Sequence, residues 1–235
     1  MTNDTEEPAP TVERSVAVAS KLYYDLNASG AAASAPLLVA LHGYGSNKGW
    51  MMREARRFAP EGFAVAALQG PHQHMKEPKG PGAGGPARYG FGWLTNFRAE
   101  ESVALHHRAL LDLISTLVDE EVADPRRVFL FGFSQSCALN YRFAFTHADV
   151  LRGVVGCCGG LPGDFEASEL YRPTAASVLH LAGSRDEFYT PERTADYAAR
   201  LGRLARDVEF KAYEAGHEFT PAMREDVRAW LASRP

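Results

Sequence analysis

The sequence predicts an α/β protein with a mostly parallel central sheet and helices on both faces, in three layers. Three observations carry that expectation. Short apolar runs alternate along the chain with segments of helical period, the pattern of strands joined by crossover helices. The runs at 36–41 and 62–68 lack polar alternation, which suits strands buried on both faces. Glycine-containing polar loops follow several of these runs, and in such sheets function collects beyond the carboxyl ends of the strands. At 235 residues the chain can bury a sizeable core within one domain. That domain is expected over 13–235, after a fraying tail at 1–12.

Taken in order, the runs 15–20 and 21–25 are strand-like and could form an antiparallel edge. A small-residue loop at 27–35 leads to the buried strand 36–41, which stops abruptly at His42-Gly43-Tyr44-Gly45-Ser46-Asn47. A helix is expected over 50–58 and a second buried strand over 62–68. The stretch 71–92 is crowded with glycine and proline, so no helix or central strand fits there. A long irregular loop in a compact domain tends to be functional. An amphipathic helix is expected over 99–121, with Val103, Leu110, Leu111, Leu113, Ile114 and Leu117 on its apolar side. Strand 128–133, helix 135–148 and strands 153–158 and 177–183 follow. The remaining elements are a helix opening at Pro191, a strand over 208–213 and a helix over 220–232.

Composition narrows the function classes. A formal charge of -4 gives no basic footprint, so nucleic acid is not an expected partner. No apolar run approaches the roughly 20 residues of a membrane span, and the acidic start lacks the pattern of a signal peptide. Three cysteines, two of them adjacent, make no disulfide framework and read as reduced thiols of a cytoplasmic protein. His72 and His74 form a lone His-x-His without nearby acids or thiols, so no metal is expected. A homodimer is one quaternary state left open.

Chemistry concentrates in Gly132-Phe133-Ser134-Gln135-Ser136, placed where a strand-like run stops and a helix-like run begins. A strand-to-helix elbow forces its serine hydroxyl out above the sheet and needs small residues on either side. Serine stands at 136, where that pattern has glycine. The bland reading of Ser134 is a helix N-cap. A serine nucleophile also requires a base and a group orienting that base, expected in the chain order serine, acid, histidine. Asp186 follows strand 177–183 and His217 follows strand 208–213, in that order. Glu187 and Asp164 compete for the acid role, and Asp186 is favoured by its spacing from the strand. His106, His107, His147 and His180 read as packing or solvated residues, and Cys137 as packing.

An anionic tetrahedral intermediate needs two hydrogen-bond donors. The backbone N–H of Gln135, after the nucleophile, and that of Tyr44, in the loop after an earlier strand, are the candidates. Phe188, Tyr189, Phe91 and Trp93 are candidate pocket walls, although Phe91 and Trp93 fit core packing equally well. A small-molecule ester or thioester would be the partner. A peptidase or lactone hydrolase on the same fold, and a non-catalytic binding protein, are the alternatives.

The segments Leu41-His42-Gly43-Tyr44-Gly45, Gly132-Phe133-Ser134-Gln135-Ser136, Gly183-Ser184-Arg185-Asp186 and Gly216-His217 together resemble the phospholipase/carboxylesterase family, which includes acyl-protein thioesterases and small bacterial carboxylesterases. The resemblance runs from about residue 37 to the end. It implies the α/β-hydrolase fold, no cofactor, and hydrolysis of carboxylic esters or thioesters. Ser134, Asp186 and His217 fall on the family's triad positions, and Tyr44 and Gln135 on its oxyanion positions. Ser136 and Ala182 depart from the family pattern, which often has glycine and histidine there.

Overall fold

The computed structural model describes residues 11–76 and 88–234. In chain order the elements are β1 (Tyr24–Asn27), β2 (Ala35–Leu41), α1 (Lys48–Phe58), β3 (Ala64–Leu68), β4 (His72–Met75), β5 (Tyr89–Gly92), α2 (Ala99–Asp119), β6 (Ala123–Phe133), α3 (Gln135–Thr146), β7 (Gly153–Cys157), β8 (Thr174–Gly183), α4 (Pro191–Thr194), α5 (Tyr197–Leu201), β9 (Ala205–Tyr213) and α6 (Pro221–Ala232). Seven strands form one sheet in the order β1-β3-β2-β6-β7-β8-β9. All neighbours pair in parallel except the edge strand β1, which is antiparallel to β3.

The layers follow from strand alternation. Leu37, Val39 and Leu41 of β2 point into one core with Leu110, Leu113 and Leu117 of α2 and with Leu139 and Phe143 of α3. Leu38 and Ala40, between them, point into a second core with Met51, Ala55 and Phe58 of α1 and with Met223, Val227 and Leu231 of α6. Because successive side chains alternate faces, a strand feeding both cores must be apolar throughout. Capping fixes where two of the covering helices start: Asn47 Oδ1 accepts from the Trp50 N–H at 2.9 Å, and Thr220 Oγ1 accepts from the Met223 N–H ahead of Pro221. No helix among the described residues is long and apolar enough to cross a membrane.

Several expectations are corrected. The run 15–20 is exposed and forms no strand, and the run after it pairs only from Tyr24 onward, because β3 offers its free edge only to Tyr24–Asn27. The helix opening at Pro191 breaks into α4 and α5 at Ala195 and Asp196. The stretch 71–92 contains a hairpin outside the main sheet, β4 pairing antiparallel with β5. Residues 77–87, with most of the glycine/proline run, and residues 1–10 lie outside the described residues.

Candidate active site

The site lies beyond the carboxyl ends of β2, β6, β8 and β9. β6 ends at Phe133 and α3 starts at Gln135, so Ser134 alone makes the turn, at φ 57° and ψ -116°. A non-glycine residue held at positive φ stores backbone strain. Its neighbours explain how the turn closes: a Cβ on Gly132 would lie 2.6 Å from the Asn140 side-chain Nδ2 and 3.2 Å from the Cys137 backbone nitrogen of α3, so a larger residue here would force α3 and its side chains to give. Ser134 occupies the N-cap position, but its side chain accepts no bond from an α3 N–H, so its hydroxyl is not spent on capping. Its backbone N–H goes instead to the Cys157 carbonyl of β7 at 2.9 Å.

Ser136 explains the departure from the glycine pattern. Its side chain is fully buried, and its Oγ accepts from the Phe133 N–H at 3.0 Å while lying 3.0 Å from both the Leu41 and the Phe133 carbonyls. The hydroxyl thus stands as a rung between the last residues of β2 and β6. A serine fits here because its buried hydroxyl both accepts a bond and has a carbonyl to donate to.

His217, in the loop after β9, places Nε2 2.9 Å from Ser134 Oγ and Nδ1 2.8 Å from Asp186 Oδ2. Asp186 Oδ1 accepts from the N–H groups of Phe188 and Tyr189, at 2.8 and 2.9 Å. Burial alone would raise the Asp186 carboxyl. Hydrogen bonds from the Tyr189 N–H, from His217 and from the Phe188 N–H outweigh it and hold the group below its ordinary value. An ionised carboxylate can only accept, so Nδ1 of His217 carries the proton and Nε2 is left to face the serine hydroxyl. Phe133, Phe188 and Tyr189 pack round the imidazole, Phe188 meeting it edge-on at 4.9 Å. The rival acids lie elsewhere: Glu187 is exposed, and Asp164 pairs with Arg142 at 2.7 Å and with the Tyr171 hydroxyl at 2.9 Å.

The loop after β2 runs alongside the elbow, where a Cβ on Gly43 would lie 3.2 Å from Ser134 Cβ. Neither the Tyr44 nor the Gln135 N–H donates to a backbone carbonyl among the described residues. The Tyr44 ring is exposed and stacks on His74 of β4, 4.4 Å away and within 6° of parallel. The hairpin braces this loop: Gly45 N–H donates to the Phe91 carbonyl and Phe91 N–H to that of Ser46, at 2.9 and 3.0 Å.

The candidate walls separate. Phe188 is exposed beside His217. Phe91 is half-buried in β5 and makes no ring contact with His217 among the described residues. Trp93 is a correction: it is fully buried, because its indole Nε1–H donates to the His42 carbonyl at 2.8 Å inside the core, and it presents no surface to a ligand. His42 is a residue that sequence motifs flag only as part of a glycine turn. It too is fully buried, and the signal that could have marked it is a polar ring directly after an all-apolar strand. Cys137 packs under the elbow, where burial pushes its thiol up. No grouping of three or more His, Cys, Asp or Glu able to hold a metal occurs among the described residues.

Solved structures of other proteins share this fold. A carboxylesterase of Bacillus cereus superposes with a TM-score of 0.71 at 18% identity, over 91% of this chain and 95% of that one. Esterase PE8 gives 0.71 at 21% identity, over 92% and 100%. Acyl-protein thioesterase 2 of Zea mays gives 0.65 at 19% identity, over 90% and 98%. At these identities the likeness establishes the fold. The sequence itself matches the phospholipase/carboxylesterase family over residues 27–234, and the chain therefore belongs to that family, a carboxylesterase-type hydrolase on the α/β-hydrolase fold.

Proposed function

We propose that the protein is a serine esterase that cleaves small carboxylic esters or thioesters through an acyl-enzyme on Ser134. The observation that carries this reading is the unbroken hydrogen-bonded chain from Ser134 through His217 to Asp186. His217 Nε2 takes the hydroxyl proton as Ser134 Oγ attacks the carbonyl carbon. The tetrahedral intermediate collapses, the same nitrogen returns the proton to the leaving alcohol or thiol, and the acyl group stays on Oγ. Water then attacks the acyl-enzyme with His217 again as base, releasing the acid and restoring the serine. Asp186 keeps the imidazole in its Nδ1–H tautomer and stabilises the cation formed in each half-reaction.

The Tyr44 and Gln135 N–H groups would receive the developing oxyanion, with Gln135 also at the positive end of the α3 dipole. Phe188 and Tyr189 would form the apolar wall beside the base, a role that fits ligand sites lined mainly by hydrophobic groups. The test is hydrolysis of p-nitrophenyl acetate and butyrate by the wild type and by Ser134→Ala, with fluorophosphonate labelling of both. Loss of turnover and of labelling in the variant is the expected result. Equal rates in the two proteins would sink the assignment.

A further inference from the structure

The proposed oxyanion donors sit on different elements, Tyr44 after β2 and Gln135 at the start of α3. Something must hold them in register, since a donor displaced by about 1 Å loses much of its effect on a transition state. One residue bonds to both halves. The Trp93 backbone N–H donates to Gln135 Oε1 at 2.8 Å, and its indole Nε1–H donates to the His42 carbonyl, also at 2.8 Å. Gln135 Nε2 in turn donates to the Leu94 carbonyl at 3.3 Å.

His42 transmits the constraint to Tyr44. Its Nδ1 lies 2.8 Å from the Gly43 carbonyl and its Nε2 lies 3.0 Å from the Gly70 N–H. A carbonyl only accepts and an amide N–H only donates, so Nδ1 must carry the proton and Nε2 must be bare. The neutral ring is also what its surroundings favour, since burial lowers the His42 pKa to about 4. The Gly43 carbonyl and the Tyr44 N–H belong to one peptide unit. A trans peptide is planar with those two groups on opposite sides, so fixing the carbonyl fixes where the Tyr44 N–H points.

We propose that Trp93 is the positioning residue of the oxyanion site, joining the Gln135 half directly and the Tyr44 half through His42. The inference rests on the esterase reading above and adds the device that keeps the two amides aligned. It also gives a use to a fully buried indole whose N–H is aimed at the backbone next to the site.

Trp93→Phe tests it, because it keeps a large apolar ring and deletes the donor to His42, with some loss of buried volume. On p-nitrophenyl butyrate, kcat should fall about 10- to 100-fold with KM little changed, since the lost interaction acts in the transition state. Affinity for an alkyl trifluoromethyl ketone, which forms a tetrahedral adduct on the serine, should weaken by the same factor as kcat/KM. Gln135→Leu, at a half-exposed position where misfolding is a lesser risk, should lower kcat in the same way by removing the acceptor for the Trp93 N–H. A Trp93→Phe protein that melts lower but keeps wild-type kcat and ketone affinity would make Trp93 a packing residue and overturn the proposal. If Trp93→Phe does not fold, unchanged kcat in Gln135→Leu overturns it equally. Turnover surviving in Ser134→Ala would instead remove the esterase reading and this inference with it.

Discussion

The loops after β2 and after β9 each carry a histidine beside a glycine, and they use the imidazole in opposite ways. His42 is fully buried, and both its nitrogens are taken by amide groups: Nδ1 by the Gly43 carbonyl, and Nε2 by the Gly70 N–H and the Gln69 side-chain amide. His217 is part-exposed, with one nitrogen on a carboxylate and the other on a hydroxyl. The amide partners of His42 do not exchange protons with it, so its ring can only hold geometry. Of the side-chain partners of His217, the Ser134 hydroxyl can give up a proton and the Asp186 carboxylate can stabilise the cation that results, so its ring is placed to act as a base. The difference teaches that the partners, rather than the residue type, separate a structural histidine from one able to do chemistry.

The largest effect expected from breaking this contrast is at His217. His217→Ala should lower kcat on the order of 10⁶-fold, as removal of the base does in comparable triads, while leaving the melting temperature within a few degrees; steady-state kinetics and thermal melts check both. Asp186→Asn comes next, at about 10⁴-fold in kcat, because an amide at this position favours the wrong imidazole tautomer. A pre-steady-state burst assay would show whether acylation takes the loss.

Acid exposes the other side of the comparison. Burial lowers the pKa of His42 and His180 to about 4 and that of His106 to about 3, against about 6.5 in the unfolded chain. Between those values the unfolded state binds more protons, so stability rises with pH there and is lost as pH falls from about 6.5 towards 4. Linkage puts the loss for His42 at about 2 kcal/mol by pH 5. Asp186, held below its ordinary value, stays ionised through that window. Urea titrations at pH 7 and pH 5 should therefore separate, and His180→Phe should narrow the gap; coincident curves would show that the buried rings do not stay neutral. The smallest effect is at Ser136, where Ser136→Ala removes one hydroxyl rung between β2 and β6. The expected cost is about 1–2 kcal/mol, with Ser136→Thr faring worse than Ala if the fully buried site has no room for a methyl group.

Much of the site was legible from spacing. Ser134, Asp186 and His217 each follow a recognisable strand, and the order of three loops along the chain is a property of sequence alone. Elements also read well wherever both faces are buried, as at β2 and β3, because a continuous apolar run admits few other structures in a chain of alternating elements. Reading failed where one segment's structure depends on a partner distant in sequence. The run 15–20 has strand-like residues but meets no free edge, while the glycine-broken residues flanking 77–87 become strands because they find each other. Trp93 stayed open between two readings for the same reason: alternating aromatics suit a pocket wall and a core strand equally, and only the β5 docking onto the loop after β2 selects the core.

Sequence by itself determined the alternation of elements, the two-sided burial of the central strands and the identity of the residues able to do chemistry. Those depend on periodicity, on the small residues an elbow tolerates and on which side chains can move a proton. Tertiary structure alone decided that Ser136 takes the place of a glycine by bonding across two strands, and that Trp93 and His42 turn inward to hold the loop. Each of those is a choice of hydrogen-bond partner between residues far apart in the chain. Such a choice is made by where the sheet brings strand ends together, and no local pattern records it.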